Sequence, residues 1–321
     1  MQHEERIYDV IVLGTGPGGM TAGLYASRSN LDTLMLDRGI PGGQLNNTAD
    51  VENYTGFKRI SGPDLAVNMF EGSQSYGAEY KYGNVKEIVD KNEYKEVITD
   101  TETYKTRTVI IATGAEHKKL GVPGEQEYNG RGVSYCAVCD GAFFRDKQIA
   151  VVGGGDSAVE EGTYLTQFGK KVNIIHRREE LRAQKVLQDR AFKNDKVDFV
   201  WNSVVEEILG KDGKVTGVRM KDVHTNESKV FDADGVFIYI GLLPNSKEFV
   251  NLGITDEEGW ILTDEEMATS VPGIYAIGDV RKTPLRQIAT AVGDGSLAGN
   301  AVYNYIEKLK ETMQKNAETV N

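Results

Sequence analysis

Two glycine-rich loops, each directly after a short apolar strand, constrain the fold of this sequence more than any other feature. The apolar residues 9–13 lead into GTGPGG at 14–19, then into a helix-like stretch and a second apolar run. Gly14, Gly16 and Gly19 match GxGxxG, which permits a tight turn, close approach of a pyrophosphate and close helix packing. The first loop therefore predicts a dinucleotide-binding unit.

A second copy of this pattern lies in the middle of the chain. The apolar residues 148–152 lead into GGGDSA at 153–158, followed by a helix-like stretch at 159–168 and an apolar run at 171–175. Strands that alternate with helices in this way favour parallel sheets. The repeated unit predicts an α/β protein with two Rossmann-like dinucleotide-binding domains.

The two copies differ where the second strand ends. Asp37 lies 23 residues after Gly14, and His176 lies 23 residues after Gly153. Asp37 can accept hydrogen bonds from the ribose hydroxyls of an adenosine that lacks a 2′-phosphate. We therefore interpret the first loop as an FAD site.

In the second copy the aligned segment is basic. His176, Arg177 and Arg178 are followed one helical turn later by Arg182. Guanidinium groups bind a phosphate bidentately, which suits a 2′-phosphate. The alternative is a solvated basic helix start. We interpret the second loop as an NADPH site.

Two apolar segments that end in glycine flank the second copy. They are TVIIATGA at 108–115 and GVFIYIG at 235–241, and Pro123 and Pro244 follow them. We interpret them as the crossings between two lobes, one inserted into the other. The predicted domains are an FAD-binding domain formed by residues 1–117 and 245–321, and an NADPH-binding domain formed by residues 118–244.

A third glycine-ended strand, GIYAIGD at 273–279, supports this division. Its last residue, Asp279, could hold the ribityl hydroxyls of a flavin. Taken alone, Gly-Asp after a strand is more often a turn. It gains weight because residues 244–321 would otherwise contain no partner for the first lobe.

The only two cysteines, Cys136 and Cys139, form a CxxC pair that begins 17 residues before Gly153. A two-residue loop loses little entropy when it is cross-linked, so a structural disulfide is a poor explanation. None of the four histidines shows ligand spacing to the pair, and no metal site is predicted. A redox-active dithiol is favoured over a chance pair or half of a metal site.

Composition limits the partners and the compartment. A length of 321 residues suits two domains, and a formal charge of −11 argues against nucleic acid and against an anionic membrane surface. No apolar run approaches ~20 residues, and residues 1–9 lack the apolar core of a signal peptide. We expect a cytoplasmic protein, with no nucleic acid and no membrane as partner.

Nine motifs together resemble the low-molecular-weight, bacterial-type thioredoxin reductases, which are class II pyridine nucleotide-disulfide oxidoreductases. The resemblance covers nearly the whole chain, and CxxCD placed before GxGxxA is its most specific part. The motifs are GTGPGG (14–19), GGQL (42–45), VEN (51–53), ATGA (112–115), CAVCD (136–140), GGGDSA (153–158), HRREELR (176–182), IGDV (277–280) and RQI (286–288). One departure is Glu180-Leu181, where an aromatic-containing variant often occurs in the family.

The resemblance implies an FAD lobe in two pieces, an inserted NADPH lobe, a homodimer and thioredoxin as the partner. It implies that Cys139 faces the flavin, that Cys136 attacks thioredoxin and that Asp140 donates a proton. The residues expected to contact FAD are Gly14, Gly16, Pro17, Gly18, Gly19, Leu36, Asp37, Arg38, Gly43, Gln44, Leu45, Asn53, Val85, Ala112, Thr113, Gly114, Gly278, Asp279, Arg286, Gln287 and Ile288. Those expected to contact NADPH are Gly153, Gly155, Asp156, Ser157, Ala158, His176, Arg177, Arg178 and Arg182.

The chemistry of these residues is consistent with electron transfer from NADPH through a flavin to the cysteine pair. A flavin can accept a hydride and then reduce a disulfide. A carboxylate beside Cys139 raises the pKa of that thiol, so Asp140 suits protonation of a departing thiolate. Because the CxxC pair and the NADPH loop share one lobe, we expect that lobe to turn, with hinges near 115–120 and 241–245.

Four other functions compete with this interpretation of the sequence. The first is an NAD(P)H-dependent reductase of another dithiol or peroxiredoxin partner, which usually carries an extra N-terminal domain. The second is a flavin-dependent dithiol oxidase, which would not need the basic cluster. Ferredoxin–NADP reductases lack the cysteine pair, and a redox-sensing flavoprotein would not need an intact second nucleotide loop.

Overall fold

The chain forms two compact units in a computed structural model that describes residues 6–48 and 51–320. The first unit comprises Met1–Glu116 and Leu243–Asn321, and the second comprises His117–Leu242. One continuous segment is therefore inserted into a unit built from both ends of the chain. The proposed lobe boundaries, at 117/118 and 244/245, fall within two residues of these divisions.

Helices and strands alternate through most of the described chain. The strands are β1 (Ile7–Leu13), β2 (Thr33–Asp37), β3 (Glu79–Tyr82), β4 (Val85–Asp90), β5 (Lys95–Thr99), β6 (Thr103–Ile111), β7 (Ala115–His117), β8 (Val133–Ser134), β9 (Gln148–Val152), β10 (Lys171–Ile175), β11 (Val197–Val200), β12 (Ser203–Lys211), β13 (Lys214–Asp222), β14 (Ser228–Asp232), β15 (Gly235–Ile238), β16 (Leu242–Pro244) and β17 (Ile274–Ala276). The helices are α1 (Pro17–Arg28), α2 (Gly62–Gln74), α3 (Ala137–Asp140), α4 (Asp156–Leu165), α5 (Lys185–Phe192) and α6 (Ile288–Val320). Short 3₁₀ helices span Gly43–Asn47, Gly141–Phe144, Lys247–Leu252 and Gly278–Val280.

The first unit is organised around a seven-stranded sheet. Its order is β3-β2-β1-β6-β5-β4, and β17 pairs with β6. In the central strand β1, Val10, Ile11 and Val12 are completely buried, as expected of a parallel strand that is covered on both faces. The predicted α/β class is confirmed in this unit.

Strand β6 joins the two pieces of the first unit. Its first half pairs antiparallel with β5, and its last three residues pair parallel with β17 from the C-terminal piece. Its other edge pairs parallel with β1. The carboxyl ends of β1, β6 and β17 therefore meet at one edge of the sheet, where ligands of open α/β folds bind.

The second unit repeats this architecture with a smaller sheet. Its five strands run parallel in the order β11-β10-β9-β15-β8, and a separate antiparallel sheet has the order β12-β13-β14. Two buried apolar clusters form its core, one around Phe237 and one around Met220. The second α/β unit predicted from the repeated loop is therefore present.

The two crossing segments lie side by side, since β7 and β16 pair as a two-stranded sheet. Next to this pair, the hydroxyl of Thr113 donates to the backbone carbonyl of Asn245 at 2.6 Å, and the side-chain amide of Asn245 donates to the backbone carbonyl of Thr113 at 2.9 Å. Thr113 and Gly114, predicted cofactor residues, are thus part of the crossing. Among the described residues, no helix combines the length and the apolar composition that a membrane crossing requires.

A buried ion pair attaches α6 to the turn that follows β17. Asp294 Oδ2 accepts from the Gly278 amide at 2.9 Å and from Arg281 Nε at 2.7 Å, and its Oδ1 accepts from Arg281 Nη2 at 3.2 Å. The two side chains are only 16% and 12% exposed. Asp294 therefore fixes the backbone that presents Asp279.

We predict that Asp294→Ala lowers the free energy of unfolding by about 3 kcal/mol, because it leaves the Arg281 charge buried without its partner. Chemical denaturation measures this loss. Glu307→Gln is the matched control on the same helix, since Glu307 and Lys310 form an ion pair that is about half exposed and is expected to contribute little. Equal losses in the two variants would contradict the prediction.

Candidate functional site

The first glycine loop leaves no room for side chains at two of its positions. Gly14 has a φ of +102°, and a Cβ there would lie 2.4 Å from the carbonyl oxygen of Ala112. A Cβ on Gly19 would lie 1.9 Å from the carbonyl oxygen of Gly14. Gly16, by contrast, faces open space before α1, and Pro17 begins that helix. An open helix N-terminus without a side chain fits a pyrophosphate.

Asp37, at the end of β2, holds the first loop in place. Its Oδ2 accepts from the amide and from the hydroxyl of Thr15, both at 2.6 Å, and its Oδ1 accepts from the Gly39 amide at 3.0 Å. A carboxylate offers about four acceptor positions, so one stays available for a ribose hydroxyl. That contact remains a prediction, and the role of Thr15 was not foreseen.

The segment after Asp37 folds back on the loop. Gly42 donates its amide to the Thr15 carbonyl at 2.8 Å, and a Cβ on Gly43 would lie 3.3 Å from the Cα of Gly16. Leu45 is buried beneath, whereas Gln44 is exposed. The structure thus places the predicted GGQL motif beside the first loop.

Residues far apart in the sequence meet near this loop. The side-chain amide of Asn53 donates to Gln287 Oε1 at 3.0 Å, across 234 positions. Ile288 packs on the apolar cluster that includes Met20 and Leu45. Two of the flavin contacts predicted from separate motifs are therefore in direct contact.

Asp279 and Arg286 are partly buried and lie next to each other. Burial raises the pKa of Asp279, and the Arg286 guanidinium opposes that rise. Arg286 donates from Nε to the Asp279 carbonyl at 3.2 Å, and its guanidinium lies 4.0 Å from the ring centroid of Trp260. Trp260 was not predicted, because no motif marks it and its contact is with residues 26 positions away.

The remaining predicted residues of this unit lie in or beside its strands, except Gly18, which belongs to α1. Leu36 is buried in β2, Ala112 follows β6, and Val85 begins β4. Arg38 is exposed and pairs with Glu116 at 2.9 Å. Gly18 lies against α6, where a Cβ would lie 3.1 Å from the Ala291 carbonyl. Their contacts with FAD remain predictions.

The second loop repeats the steric pattern of the first. Gly153 has a φ of +149°, and a Cβ there would lie 2.3 Å from the carbonyl oxygen of Tyr239 and 2.8 Å from the Ala158 Cβ. Gly155 faces open space before α4. Asp156 accepts from the backbone amide and the side chain of Gln184, at 2.7 and 3.1 Å. Ser157 is exposed in the first helical turn.

His176 lies behind the second loop. It is 5% exposed, and its Nδ1 would lie 2.3 Å from a Cβ placed on Gly154. Burial lowers its pKa, and the positive charge of Arg182 lowers it further, so the imidazole is neutral at pH 7. Its Nε2 has no hydrogen-bond partner among the described residues.

The three arginines of the basic segment are on the surface. Arg177, Arg178 and Arg182 are exposed, and no side-chain partner is found for them in residues 6–48 and 51–320. The amide of Arg182 donates to the Gly154 carbonyl at 2.7 Å, which holds the segment against the loop. Glu179 is directed to His224, 3.7 Å away. Unpaired guanidinium groups here fit a 2′-phosphate.

The cysteine pair forms a disulfide directly after β8. Cys136 precedes α3, and its Sγ accepts the amide of Cys139 at 3.2 Å. The Cys136 amide donates to Ser134 Oγ at 3.1 Å. Both cysteines are partly exposed. The described residues contain no group of three or more His, Cys, Asp or Glu that could hold a metal ion.

Three titratable side chains lie beside the disulfide. Burial raises the pKa of Asp140, partly offset by a hydrogen bond with Ser134. Burial also raises the pKa of Glu161, and burial and the Glu161 charge raise the pKa of Tyr239. Asp140 was predicted from its position next to Cys139, but Glu161 and Tyr239 were not. Both are brought here by the packing of α4 and the end of β15, which no local sequence pattern reveals.

The family model described as pyridine nucleotide-disulphide oxidoreductase matches residues 8–295. A relative named thioredoxin reductase from Listeria monocytogenes is 61% identical over 317 residues, which are 99% of each chain. Another of that name, from Bacillus subtilis, is 61% identical over 311 residues, covering 97% of this chain and 98% of the relative. The crystal structure of thioredoxin reductase from Streptococcus pyogenes is 58% identical and superposes with a TM-score of 0.91, covering 94% of this chain and 99% of that one.

We predict that Asp140→Asn stabilises the oxidised protein at neutral and alkaline pH. A carboxyl whose pKa is raised by folding binds more protons in the native state, so stability is lost as the pH rises from the ordinary pKa of the carboxyl through the raised one. The amide carries no such cost. The melting temperature of the variant should exceed that of the parent at pH 8, and the difference should shrink as the pH falls to about 4, near the ordinary pKa of a carboxyl. A difference that is independent of pH would contradict this role of Asp140.

Proposed function

The chain belongs to the pyridine nucleotide-disulphide oxidoreductase family, and from this premise we propose that it is a thioredoxin reductase. The observation that carries the proposal is the disulfide between Cys136 and Cys139, placed in a unit that has its own glycine loop. The relatives named thioredoxin reductase align over almost the whole chain. Electrons would pass from NADPH through FAD and this cysteine pair to the disulfide of thioredoxin.

The two loops suit two different nucleotides. At the first, the open N-terminus of α1 would receive the pyrophosphate of FAD, and the free acceptor position on Asp37 its ribose. Asp279 and Arg286 lie where polar groups of the flavin moiety could be held. When bound, FAD supplies the chemistry that connects a hydride donor with a disulfide.

At the second loop, the same reasoning favours NADPH. Gly155 leaves the N-terminus of α4 open for a pyrophosphate, and the exposed guanidinium groups of Arg177, Arg178 and Arg182 are free to bind a 2′-phosphate. His176 supports this segment from behind as a neutral ring. Its proposed part is therefore to shape the site rather than to bind the phosphate.

The cysteines carry out the exchange with the substrate. In the reduced pair, the Cys136 thiolate attacks one sulfur of the thioredoxin disulfide, and the other sulfur leaves as a thiolate that takes up a proton. Cys139 then attacks the Cys136 sulfur of the mixed disulfide, which restores the Cys136–Cys139 bond and releases reduced thioredoxin. Asp140, a carboxyl with a raised pKa next to Cys139, can hold a proton for the thiolate that forms when the pair is reduced again.

The resemblance also supports proposals about the oligomeric state and the compartment of the protein. We propose that the protein works as a homodimer in the cytoplasm. Sedimentation of the purified protein tests the first, and fractionation of cells the second.

We predict that Cys136→Ser and Cys139→Ser each abolish NADPH-dependent reduction of thioredoxin, because the sequence contains no other cysteine to replace them. The bound flavin should still be reduced by NADPH, which absorbance spectroscopy measures in the same samples. The double variant provides the baseline. Thioredoxin turnover above that baseline in either single variant would rule out the pair as the electron relay.

We predict a marked preference for NADPH over NADH, which Arg177→Ala and Arg178→Ala reduce. Loss of one charged hydrogen bond to a phosphate costs roughly 1.5–3 kcal/mol, or about ten- to a hundredfold in affinity. The measurement is kcat/KM for both coenzymes, and the value for NADH should change little. Arg190→Ala is the control, because Arg190 belongs to α5, outside the basic segment. Equal use of the two coenzymes by the unmodified protein would refute the assignment.

A further inference from the structure

A second acid, Glu161, supports the turn that carries the cysteines. It belongs to α4, the helix that follows the second glycine loop. Its Oε2 accepts the amide hydrogen of Ala137 at 3.0 Å. Ala137 directly follows Cys136 and is completely buried. One carboxylate oxygen therefore fixes the backbone segment that joins the two cysteines.

No cation among the described residues faces Glu161, so its carboxylate charge, once formed, has no opposite charge beside it. Burial acts on the carboxyl, and the titratable groups that face it are Tyr239 from the end of β15 and Glu160 from its own helix. The third acid, Asp140 from α3, acts on the same Tyr239. In the part of the chain that the structure describes, no cation pairs with Glu161. Within residues 6–48 and 51–320, the one backbone amide that donates to Glu161 is that of Ala137 in the cysteine turn.

Negative charge at this place acts on the reduced cysteines. Reduction of the disulfide takes up two electrons, and the two sulfurs become either two thiols with two protons or one thiol and one thiolate with one proton. A nearby carboxylate disfavours the thiolate. A reduced pair that is not stabilised as a thiolate is a stronger reductant.

We propose that Glu161 is a positioning residue for the dithiol: its carboxylate holds the amide of Ala137, the residue after Cys136, and its negative charge disfavours a thiolate in the reduced pair. The proposal rests on the redox role given to this pair under the proposed function. It does not depend on which protein accepts the electrons or on which coenzyme donates them.

Three variants distinguish a purely structural role of Glu161 from an effect of its charge on the cysteines. In Glu161→Gln the side-chain carbonyl can still accept the Ala137 amide, but the charge is lost. Glu161→Asp keeps the charge on a shorter side chain. Glu160→Gln removes a neighbouring charge that is exposed on the same helix and accepts no recorded hydrogen bond from the cysteine turn, and it serves as the matched control.

The test measures the thiols directly. The FAD-bound protein is reduced and desalted without oxygen, and iodoacetamide labelling is followed from pH 5 to 10, with mass spectrometry to identify the cysteine that reacts. Glu161→Gln should lower the pH at which labelling begins, so that the more reactive cysteine is labelled about five to ten times faster well below the parent's thiol pKa. Glu161→Asp should stay near the parent, and Glu160→Gln should coincide with it.

A second measurement covers the equilibrium. In mixtures of reduced and oxidised dithiothreitol, the reduced fraction of Glu161→Gln relative to the parent should increase several-fold at pH 9 and hardly at pH 6, since the charge acts only on the thiolate. The proposal is overturned if the labelling profile of Glu161→Gln coincides with that of the parent, or if Glu160→Gln shifts it equally. Neither readout uses thioredoxin, so failure of the proposed function would appear separately, as missing thioredoxin turnover by the parent.

Discussion

The contact on which both units depend is the close approach of a glycine turn to the end of a neighbouring strand segment. A Cβ on Gly14 would strike the Ala112 carbonyl, and a Cβ on Gly153 would strike the Tyr239 carbonyl. These distances require glycine where β1 and β9 turn directly into α1 and α4 at the carboxyl edge of a parallel sheet. Because each helix begins there with an open N-terminus, the proposed nucleotide sites are a consequence of how the sheets are connected.

In the second unit, the residue that contacts the glycine turn also lies near the cysteine pair. The carbonyl of Tyr239 limits Gly153, and the side chain of the same residue faces Glu161. Glu161 in turn accepts the amide of Ala137 in the cysteine turn. One short path of packed groups therefore runs from the second glycine loop to the disulfide within a single unit. A change in the backbone at either end has to be accommodated at the other.

Sequence reasoning succeeded where the pattern was local and failed where contacts joined distant segments. The apolar runs and the glycine spacings predicted β1, α1, β9 and α4, because strand and helix periods are visible within a dozen residues. The place of β17 on β6, beside β5, was not visible, since pairing register is settled by the whole sheet. Four residues of the sites were not predicted for the same reason, since each acts through a partner that no motif specifies. They are Thr15, Trp260, Asp294 and Glu161. The alignment of His176 with Asp37 predicted that the acid of the first copy is replaced by a basic segment in the second. It did not predict that His176 is buried.

The electrostatics of the cysteine site favour one direction of electron flow. A CxxC pair becomes an oxidant when its surroundings stabilise the thiolate, as cations or hydrogen-bond donors do. Here the groups that act are two carboxyls, Asp140 and Glu161, both with a pKa raised by burial, and a buried tyrosine. Once ionised, these carboxyls oppose an adjacent thiolate, and none of the three groups supplies a positive charge that would stabilise one. The oxidised pair is therefore favoured over the reduced one, which makes the reduced pair ready to give electrons away. Burial of acidic groups beside the only two cysteines of the sequence costs folding stability, which fits a site whose task is to donate electrons.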